Sequence, residues 1–396
     1  MSGAGGLHLF VLIDALGWRI LEGREFLSDL LPFRVPLRTV LGYSSGAIPT
    51  ILTGRPPARH GHWNLFYYDP DGSPFRWLRR LGFLPAGVLD SRLARKALKE
   101  VGRRVLGLGP LFECCVSPRL LPWFNWVEKR SVYEPGGIAG APSIFDDLAA
   151  AGIPARVYSY HRWTDQEILR RAREDLQGGA ARFYFLYLSE LDGALHAHCG
   201  DETAMAAALD RYASGLREVF DCARRLDPES RLTVFSDHGM TPVRQRYDLV
   251  GAIDALGFGM PADYLAVYDS TMARFWFFRD EARHRITARL GDLPCGRIVP
   301  GAELEELGVL FADRRYGDVV FLLEPGWLVS QSDFNGSRWS PSGMHGYHPE
   351  DPDSDGIFLS SGPPSAPVRS IADIHSLMVG AAMAMTDTLA LRSENG

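Results

Sequence analysis

Three short apolar runs, each followed closely by an aspartate, constrain the fold of this 396-residue chain more than any other feature of its sequence. They are residues 7–13 before Asp14, residues 183–188 before Asp192, and residues 232–235 before Asp237. Continuous apolar runs of this length are typical of strands that are buried on both faces. A long amphipathic pattern over residues 203–226 separates the last two runs. Such alternation predicts an α/β fold, with a mostly parallel central sheet and helices on both faces.

Histidines accompany these aspartates at spacings that suit metal binding. His238 directly follows Asp237, and His196 lies four residues after Asp192, which places the two side chains of that pair on one face of a helical turn. Ligands of open α/β sheets bind beyond the carboxyl ends of the strands, so we expect the three aspartates to meet there. The candidate metal ligands are Asp14, Ser44, Asp192, His196, Asp237, His238 and His345.

Each of these residues alone also fits a simpler interpretation. An aspartate after a strand is often a helix N-cap, and a single histidine often lies at the surface or in the core. One geometry accounts for the whole set, however, and that geometry is a two-metal hydrolytic site. The three histidines favour zinc over Mg²⁺, because imidazole suits borderline metals such as zinc, whereas sets of carboxylates and water suit Mg²⁺. Mn²⁺ is the alternative.

Ser44 is the candidate nucleophile. A serine hydroxyl needs a base or a metal to become nucleophilic, and neither a Ser-x-x-Lys nor a Gly-x-Ser-x-Gly motif surrounds Ser44, so a metal is the expected activator. Ser45, the next residue, is the alternative nucleophile. Asn64 is expected to donate an amide hydrogen bond to a phosphoryl oxygen. Residues 48–52 are expected to form a short helix whose N-terminus faces an anion.

The composition narrows the range of partners and compartments. A formal net charge of −6 and a pI near 6.0 argue against a general nucleic-acid binder. The five cysteines include no Cys-x-x-Cys pair, which argues against a cysteine zinc site or a disulfide framework. The N-terminal residues lack the pattern of a signal segment, and no run approaches the ~20 apolar residues of a membrane helix. We therefore expect a cytoplasmic protein that acts on a small molecule.

One domain over residues 1–396 is predicted, with two distinctive segments. Residues 70–142 are rich in basic and aromatic side chains, and a helical pattern within them predicts a cap insertion over one rim of the site. Its basic helix has three interpretations: a solvated surface helix, an attractor of anionic substrate, or a transient contact with a membrane or lipid substrate, anchored by residues such as Trp77 and Trp123. Residues 258–340 are less regular and are predicted to form a smaller subdomain.

The motifs together resemble the alkaline phosphatase superfamily, and within it the type I phosphodiesterase/nucleotide pyrophosphatase branch. The residues that carry the resemblance are Asp14, Ser44, Pro49-Thr-Ile-Leu-Thr-Gly54, Arg59-His-Gly61, Tyr68-Asp-Pro70, Asp192-Gly-Ala-Leu-His196, Ser236-Asp-His-Gly-Met240 and His345-Gly-Tyr347. They follow the family's order and span most of the chain.

The resemblance implies an alkaline phosphatase-like fold and two zinc ions. It assigns one zinc to Asp192, His196 and His345. It assigns the other zinc to Asp14, Asp237 and His238, with Ser44 as a further ligand. It places Asn64 near the asparagine that holds a phosphoryl oxygen in relatives.

The sequence departs from this branch at the nucleophile. The branch usually has a threonine followed by Phe-Pro-Asn, whereas here the run is Ser44-Ser-Gly-Ala, and serine is typical of monoesterases. The sequence argues against a formylglycine sulfatase, because Gly46 and Ile48 stand where that modification needs proline and arginine.

The sequence thus predicts a zinc hydrolase that cleaves a phosphate ester, most favourably a phosphodiester, through a phosphoserine. The alternatives are a phosphomonoesterase or phosphotransferase of the same superfamily, and a binding protein that retains the metals without catalysis.

Overall fold

The computed structural model describes residues 6–81, 86–108, 112, 115–179, 181–333 and 340–394. Its strands are β1 (His8–Ile13), β2 (Phe33–Leu37), β3 (Phe66–Tyr68), β4 (Phe124–Trp126), β5 (Ala155–Tyr158), β6 (Phe183–Leu188), β7 (Arg231–Phe235), β8 (Thr241–Pro242), β9 (Gln245–Tyr247), β10 (Tyr264–Tyr268), β11 (Met272–Phe277), β12 (Gly296–Ile298), β13 (Val319–Leu323), β14 (Trp327–Val329), β15 (Gly343–Met344) and β16 (Gly356–Ser360).

Its helices are α1 (Trp18–Leu21), α2 (Ser44–Thr53), α3 (Pro57–His60), α4 (Ala86–Leu89), α5 (Arg92–Arg104), α6 (Ile144–Ala150), α7 (Asp165–Gly178), α8 (Glu190–His198), α9 (Glu202–Leu226), α10 (Leu249–Asp254), α11 (Asp280–Gly291), α12 (Gly301–Glu306) and α13 (Asp373–Glu394). Short 3₁₀ turns lie at Arg76–Leu81 and Leu121–Trp123.

The central sheet has the strand order β2-β16-β7-β1-β6-β5. β5, β6, β1 and β7 run parallel, whereas β16 is antiparallel to both β7 and β2. In the register, Ile13 lies opposite Leu188 and Leu12 lies opposite Phe235, so β1, β6 and β7 end at the same edge. The predicted fold class, a mostly parallel sheet between helices, is confirmed.

The continuous apolar character of β1 follows from burial on both faces of the sheet. Successive side chains of a strand point to opposite faces. Leu9, Val11 and Ile13 join the core cluster beneath α7 and α9, and Phe10 and Leu12 join the cluster beneath α2, α6 and α13. Every position of the strand after His8 is therefore in a core, which leaves no polar alternation in the sequence.

A second, antiparallel sheet of order β10-β11-β13-β12 occupies the described part of residues 258–340. Its β11 carries Arg274, which is fully buried and donates to Asp269 at 2.8 Å. The same guanidinium donates to the carbonyl of Phe66 on β3 at 2.9 Å, so it connects this sheet to the strand that precedes the 70–142 segment. Residues 334–339 of the predicted subdomain lie outside the described residues.

The 70–142 segment begins after β3 and contains β4, which pairs with β3 in the antiparallel direction. Phe75, Leu98, Phe112 and Trp126 form a core of its own there, which also packs against Trp276 of β11. Basic side chains of α5 face outward together with Leu93, which is 82% exposed. Residues 82–85, 109–111 and 113–114 of the predicted cap lie outside the described residues.

Two expectations stay predictions: that residues 70–142 form a cap over one rim of the site, and that α5 contacts lipid. No helix of the described chain is long and apolar enough to cross a lipid bilayer.

Candidate active site

The three aspartates that follow apolar runs meet at one edge of the central sheet. Asp14 directly follows β1, Asp237 comes two residues after β7, and Asp192 lies on α8, which begins two residues after β6. Because these three strands are adjacent and parallel, their carboxyl ends place the aspartates side by side.

The first group of ligands is Asp192, His196 and His345, whose ligand atoms all lie within 4.8 Å of one another. His196 Nε2 is 3.3 Å from Asp192 Oδ1, and His345 Nε2 is 3.6 Å from the same oxygen. His345 reaches this position because it follows β15, which pairs with β8, and β8 begins three residues after His238. A strand of only two residues thus brings a distant histidine into the site.

The second group is Asp14, Asp237 and His238, with its ligand atoms also within 4.8 Å of one another. His238 Nε2 lies 3.2 Å from Asp237 Oδ2 and 3.4 Å from Asp14 Oδ1. The rings of His238 and His345 stack with centroids 3.8 Å apart. The two groups are therefore in direct contact and form one site.

The side chains of both groups fit metal ions. Asp14 Oδ1, Asp192 Oδ1 and Asp237 Oδ2 are buried oxygens with no hydrogen-bond partner in the described part of the chain. Burial raises the pKa of Asp14 well above its ordinary value, and the nearby charges of Asp237 and Asp192 raise it further. Three carboxylates placed so closely repel one another, and divalent cations between them would remove that repulsion.

The histidines are oriented for binding through Nε2. His196 Nδ1 lies 2.9 Å from the carbonyl oxygen of Gly343, and His238 Nδ1 lies 2.9 Å from that of Gly239. A carbonyl only accepts, so each Nδ1 carries a proton, and in the neutral ring each Nε2 presents its lone pair to the site. Burial, and then the charge of His238, lower the pKa of His345 well below its ordinary value, which keeps its imidazole in the neutral, ligating form.

Ser44 lies at the second group, at the first residue of α2. Its Oγ is 3.0 Å from His238 Nε2, whereas Ser45 Oγ donates to the carbonyl of Trp63 at 2.9 Å. This contact favours Ser44 over Ser45 as the nucleophile. The backbone N–H groups at the start of a helix also favour an anion beside Ser44. Tyr43, the residue before the helix, is held by the backbone N–H of Thr271 at 2.9 Å.

Asn64 is buried, in a different arrangement from that of Ser44. Its Nδ2 lies 3.8 Å from the sulfur of Met272, and its Oδ1 has no hydrogen-bond partner in the described residues. It is not among the residues that line the adjoining cavity. Its role toward a phosphoryl oxygen stays a prediction.

A cavity of about 360 Å³ opens from Ser44, His196 and His345. Residues that the sequence motifs did not indicate line much of the rest of it: Glu128, Tyr133, Tyr160, His161, Tyr187 and Met344. Tyr187 also donates its hydroxyl hydrogen to Asp14 Oδ2. Its position one residue before the end of β6 was the available signal for this contact, because Tyr187 pairs with Leu12 in the sheet and lies on the same face as Phe10 and Leu12, the face that Asp14 continues.

Comparison with known proteins identifies the family of this chain. The family model described as type I phosphodiesterase / nucleotide pyrophosphatase matches residues 9–348, a range that contains every candidate ligand. The comparison with curated proteins gives no match.

Solved structures share the fold along nearly the whole chain. Murine ectonucleotide pyrophosphatase/phosphodiesterase 5 superposes with a TM-score of 0.68 at 16% identity, covering 95% of each chain. An inactive form of the murine protein in complex with AMP gives 0.66, with 96% of this chain and 95% of the other covered. Phosphonoacetate hydrolase from Sinorhizobium meliloti 1021, in complex with phosphonoformate, gives 0.64 at 14% identity and covers 96% of each chain.

Proposed function

Because this chain belongs to the type I phosphodiesterase/nucleotide pyrophosphatase family, in the alkaline phosphatase superfamily, and is thus a phosphoester hydrolase, we propose that it cleaves a phosphodiester through a phosphoserine formed on Ser44. The observation that carries this proposal is the 3.0 Å contact of Ser44 Oγ with His238 Nε2. That contact places the hydroxyl at the second group of ligands, which itself contacts the first group through the stacked rings of His238 and His345.

The two groups of ligands would each hold one metal ion. Asp192, His196 and His345 would hold the first, and Asp14, Asp237 and His238 the second, with Ser44 beside it. Three imidazoles among the ligands support zinc, with Mn²⁺ as the alternative. When bound, such a pair of ions supplies positive charge that lowers the pKa of the serine hydroxyl and of a water molecule and offsets the charge of the transition state.

The protein's own groups carry the substrate through two displacements. Ser44 Oγ, after losing its proton to solvent in the cavity, attacks phosphorus as the P–O bond to the leaving alcohol breaks, and the alcohol takes a proton from solvent. A water molecule then attacks the phosphoserine, the P–Oγ bond breaks, and Ser44 regains a proton. Asn64 and the first backbone N–H groups of α2 would stabilise the phosphoryl oxygens as charge develops.

A diester is favoured over a monoester by the family and by the room beyond the nucleophile. The cavity continues from Ser44 toward Tyr133 and Tyr160, so a second ester group has space next to the phosphorus. Serine at position 44 favours the monoesterase, and an alcohol in place of water in the second step would make the protein a phosphotransferase. Measuring the product with an added alcohol separates these outcomes.

The test compares the zinc-loaded protein on bis-p-nitrophenyl phosphate and on p-nitrophenyl phosphate, with Ser44→Ala and its neighbour Ser45→Ala as the matched pair. We expect faster diester cleavage, a loss of about a thousandfold or more in kcat for Ser44→Ala, and at most a few-fold change for Ser45→Ala. Mass spectrometry after an acid quench should find a phosphoryl group on the peptide that contains Ser44.

Three outcomes would contradict the proposal. Near wild-type turnover by Ser44→Ala would remove Ser44 as the nucleophile. Faster monoester cleavage would move the protein to the phosphatase alternative. Metal binding without turnover of either substrate would favour a non-catalytic binding protein.

A further inference from the structure

Glu128 places a carboxylate in the active-site cavity that the proposed reaction does not use. It lies two residues after β4 and lines the same cavity as Ser44, His196 and His345. Its backbone carbonyl accepts a hydrogen bond from Trp126 Nε1 at 2.9 Å, which fixes the chain at this point. Its side chain makes no hydrogen bond or ion pair with any residue in the described part of the protein.

Two other buried acids of this protein have partners that satisfy their carboxylates. Asp269 receives a 2.8 Å bond from Arg274, and Asp165 receives a 2.6 Å bond from Tyr212. Glu128 has no counterpart of Arg274 or Tyr212 among the described residues, and burial raises the pKa of its carboxyl to about 7. A carboxylate that is partly withdrawn from water and unpaired destabilises the free protein, and a bound cation would relieve that destabilisation.

Aromatic rings surround the same part of the cavity. Tyr160 contacts His161 with centroids 4.5 Å apart and Tyr187 with centroids 5.0 Å apart, and Tyr133 lies 5.2 Å from His161. Burial raises the pKa of Tyr160, and the nearby charge of Glu128 raises it further, so the two groups are close and the phenol stays neutral. Burial lowers the pKa of His161 to about 4, so this imidazole is neutral and does not supply the missing positive charge.

We infer that Glu128, together with the rings of Tyr133, Tyr160 and His161, binds an alkylammonium group on the substrate. Aromatic faces attract a cation through their quadrupoles, and a carboxylate neutralises its charge. A neutral nucleobase would offer Glu128 hydrogen-bond donors but would leave its charge uncompensated. This inference rests on the proposed function and names its substrate class: a phosphodiester with a positively charged amine on one alcohol.

The experiment compares two chromogenic diesters that differ in one atom. In p-nitrophenyl phosphorylcholine the alcohol ends in a trimethylammonium group, and in 3,3-dimethylbutyl p-nitrophenyl phosphate a neutral carbon replaces that nitrogen. We expect wild-type kcat/KM to favour the cationic diester by about tenfold, the size of a partly desolvated cation–π contact with a charge partner. A third diester, p-nitrophenyl phosphorylethanolamine, separates a quaternary from a primary ammonium.

The variants assign that preference to the named groups. Glu128→Gln keeps the shape of the side chain and should reduce the preference to within about twofold. Glu134→Gln, which neutralises an exposed acid six residues along the chain that pairs with Arg162, should keep it. Tyr160→Phe keeps the aromatic face and should retain most of the preference, whereas Tyr160→Leu should lower it.

The failure of this inference is distinguishable from failure of the proposed function. Wild-type protein that cleaves both diesters equally would overturn the cation site and leave the hydrolase in place. A preference for p-nitrophenyl thymidine 5′-phosphate that Glu128→Gln abolishes would overturn it in favour of a nucleobase. If no diester is cleaved, the proposed function fails, and calorimetry then tests the cation site by comparing the binding of phosphocholine with that of 3,3-dimethylbutyl phosphate. Equal binding would overturn the cation site. Tighter binding of phosphocholine would support it.

Discussion

At the scale of single residues, Glu128 links the cavity to the stability of the protein. In the unfolded chain its carboxyl ionises near the ordinary value of 4.5, whereas in the folded protein burial raises its pKa to about 7. Between these values the folded protein holds a proton that the unfolded chain has lost. The free energy of unfolding attributable to this group therefore falls as pH rises from about 4.5 to about 7, and stays at the lower value above that range.

Glu128→Gln should remove this dependence without changing the size of the side chain. We expect the melting temperature of the metal-loaded variant to exceed that of wild type at pH 8 and the two to converge at pH 4. Thermal unfolding followed by circular dichroism across that range measures the difference. Glu134→Gln, at an exposed position, should differ from wild type by a nearly constant amount, and a constant difference for Glu128→Gln as well would contradict the buried, unpaired environment of Glu128.

Residues of the two metal-ligand groups could be predicted from the sequence, and those of the cavity wall could not. Asp14, Asp192 and Asp237 follow apolar runs, so the rule that parallel strands share one carboxyl edge is enough to bring them together. Glu128 and Tyr160 stand outside strands and helices, in connections whose paths depend on packing with distant parts of the chain. Nothing in their local sequence distinguishes them from ordinary loop residues.

At the scale of elements, the two-residue strand β15 fixes one half of the site. It pairs with β8, its Gly343 carbonyl accepts from His196 Nδ1 at 2.9 Å, and the backbone N–H of Ser342 just before it donates to the carbonyl of His196 at 2.8 Å. His345 follows immediately. The strand therefore orients both histidines of the first ligand group.

Gly343→Ala should disturb that group selectively. A Cβ at position 343 would lie 2.6 Å from Cys199 Cβ and 2.8 Å from Met240 Cγ, so β15 would have to move away from α8. We expect destabilisation of roughly 1–3 kcal/mol and a fall in bound metal from two ions toward one per chain. Metal content by mass spectrometry after dialysis measures this.

Gly193→Ala is the matched control for the β15 variant. Gly193 lies on α8 next to Asp192, and a Cβ there meets nothing within 4 Å, so metal content should stay as in wild type. Two tightly bound ions in Gly343→Ala would show that β15 does not position the first group.

The sequence predicted only part of the helix that carries Ser44. The sequence predicted a helix over residues 48–52, whereas α2 spans Ser44–Thr53. Its N-cap is Tyr43, whose side chain makes no capping hydrogen bond, and Gly46 and Pro49 lie within it, so none of the usual signals marks its start. Its burial beneath the sheet, through Ile48, Ile51 and Leu52, overrides these weak propensities.

At the scale of the whole molecule, the fold could be predicted from the sequence because the patterns that indicate strands and helices are distributed along the chain. Alternating apolar runs and amphipathic helices predicted the layers, and the buried strands confirmed them at β1, β6 and β7. The antiparallel direction of β16 beside β7 was not predicted, because a buried antiparallel strand has the same apolar composition as a buried parallel strand. The second sheet was seen only as a less regular segment, since its order depends on pairings between distant strands.

The three aspartates at one sheet edge, two of them buried and Asp192 half-buried, make the stability of the whole molecule depend on bound metal. Without cations, Asp14, Asp192 and Asp237 repel one another across a few ångströms of protein interior. Two ions bound at about a thousand times their Kd would each contribute about 4 kcal/mol, so zinc added to chelator-treated protein should raise the melting temperature on the order of 5–10 °C.

Differential scanning calorimetry of the chelator-treated protein, with and without zinc or Mn²⁺, measures this shift. Ser44→Ala removes one further ligand but keeps all three carboxylates and all three imidazoles, so it should retain most of the wild-type shift. Asp192→Asn should gain less from zinc than wild type, because the first group of ligands is then incomplete. An equal shift for Asp192→Asn and wild type, or no shift with either metal, would mean that these carboxylates do not hold the ions on which the proposed reaction depends.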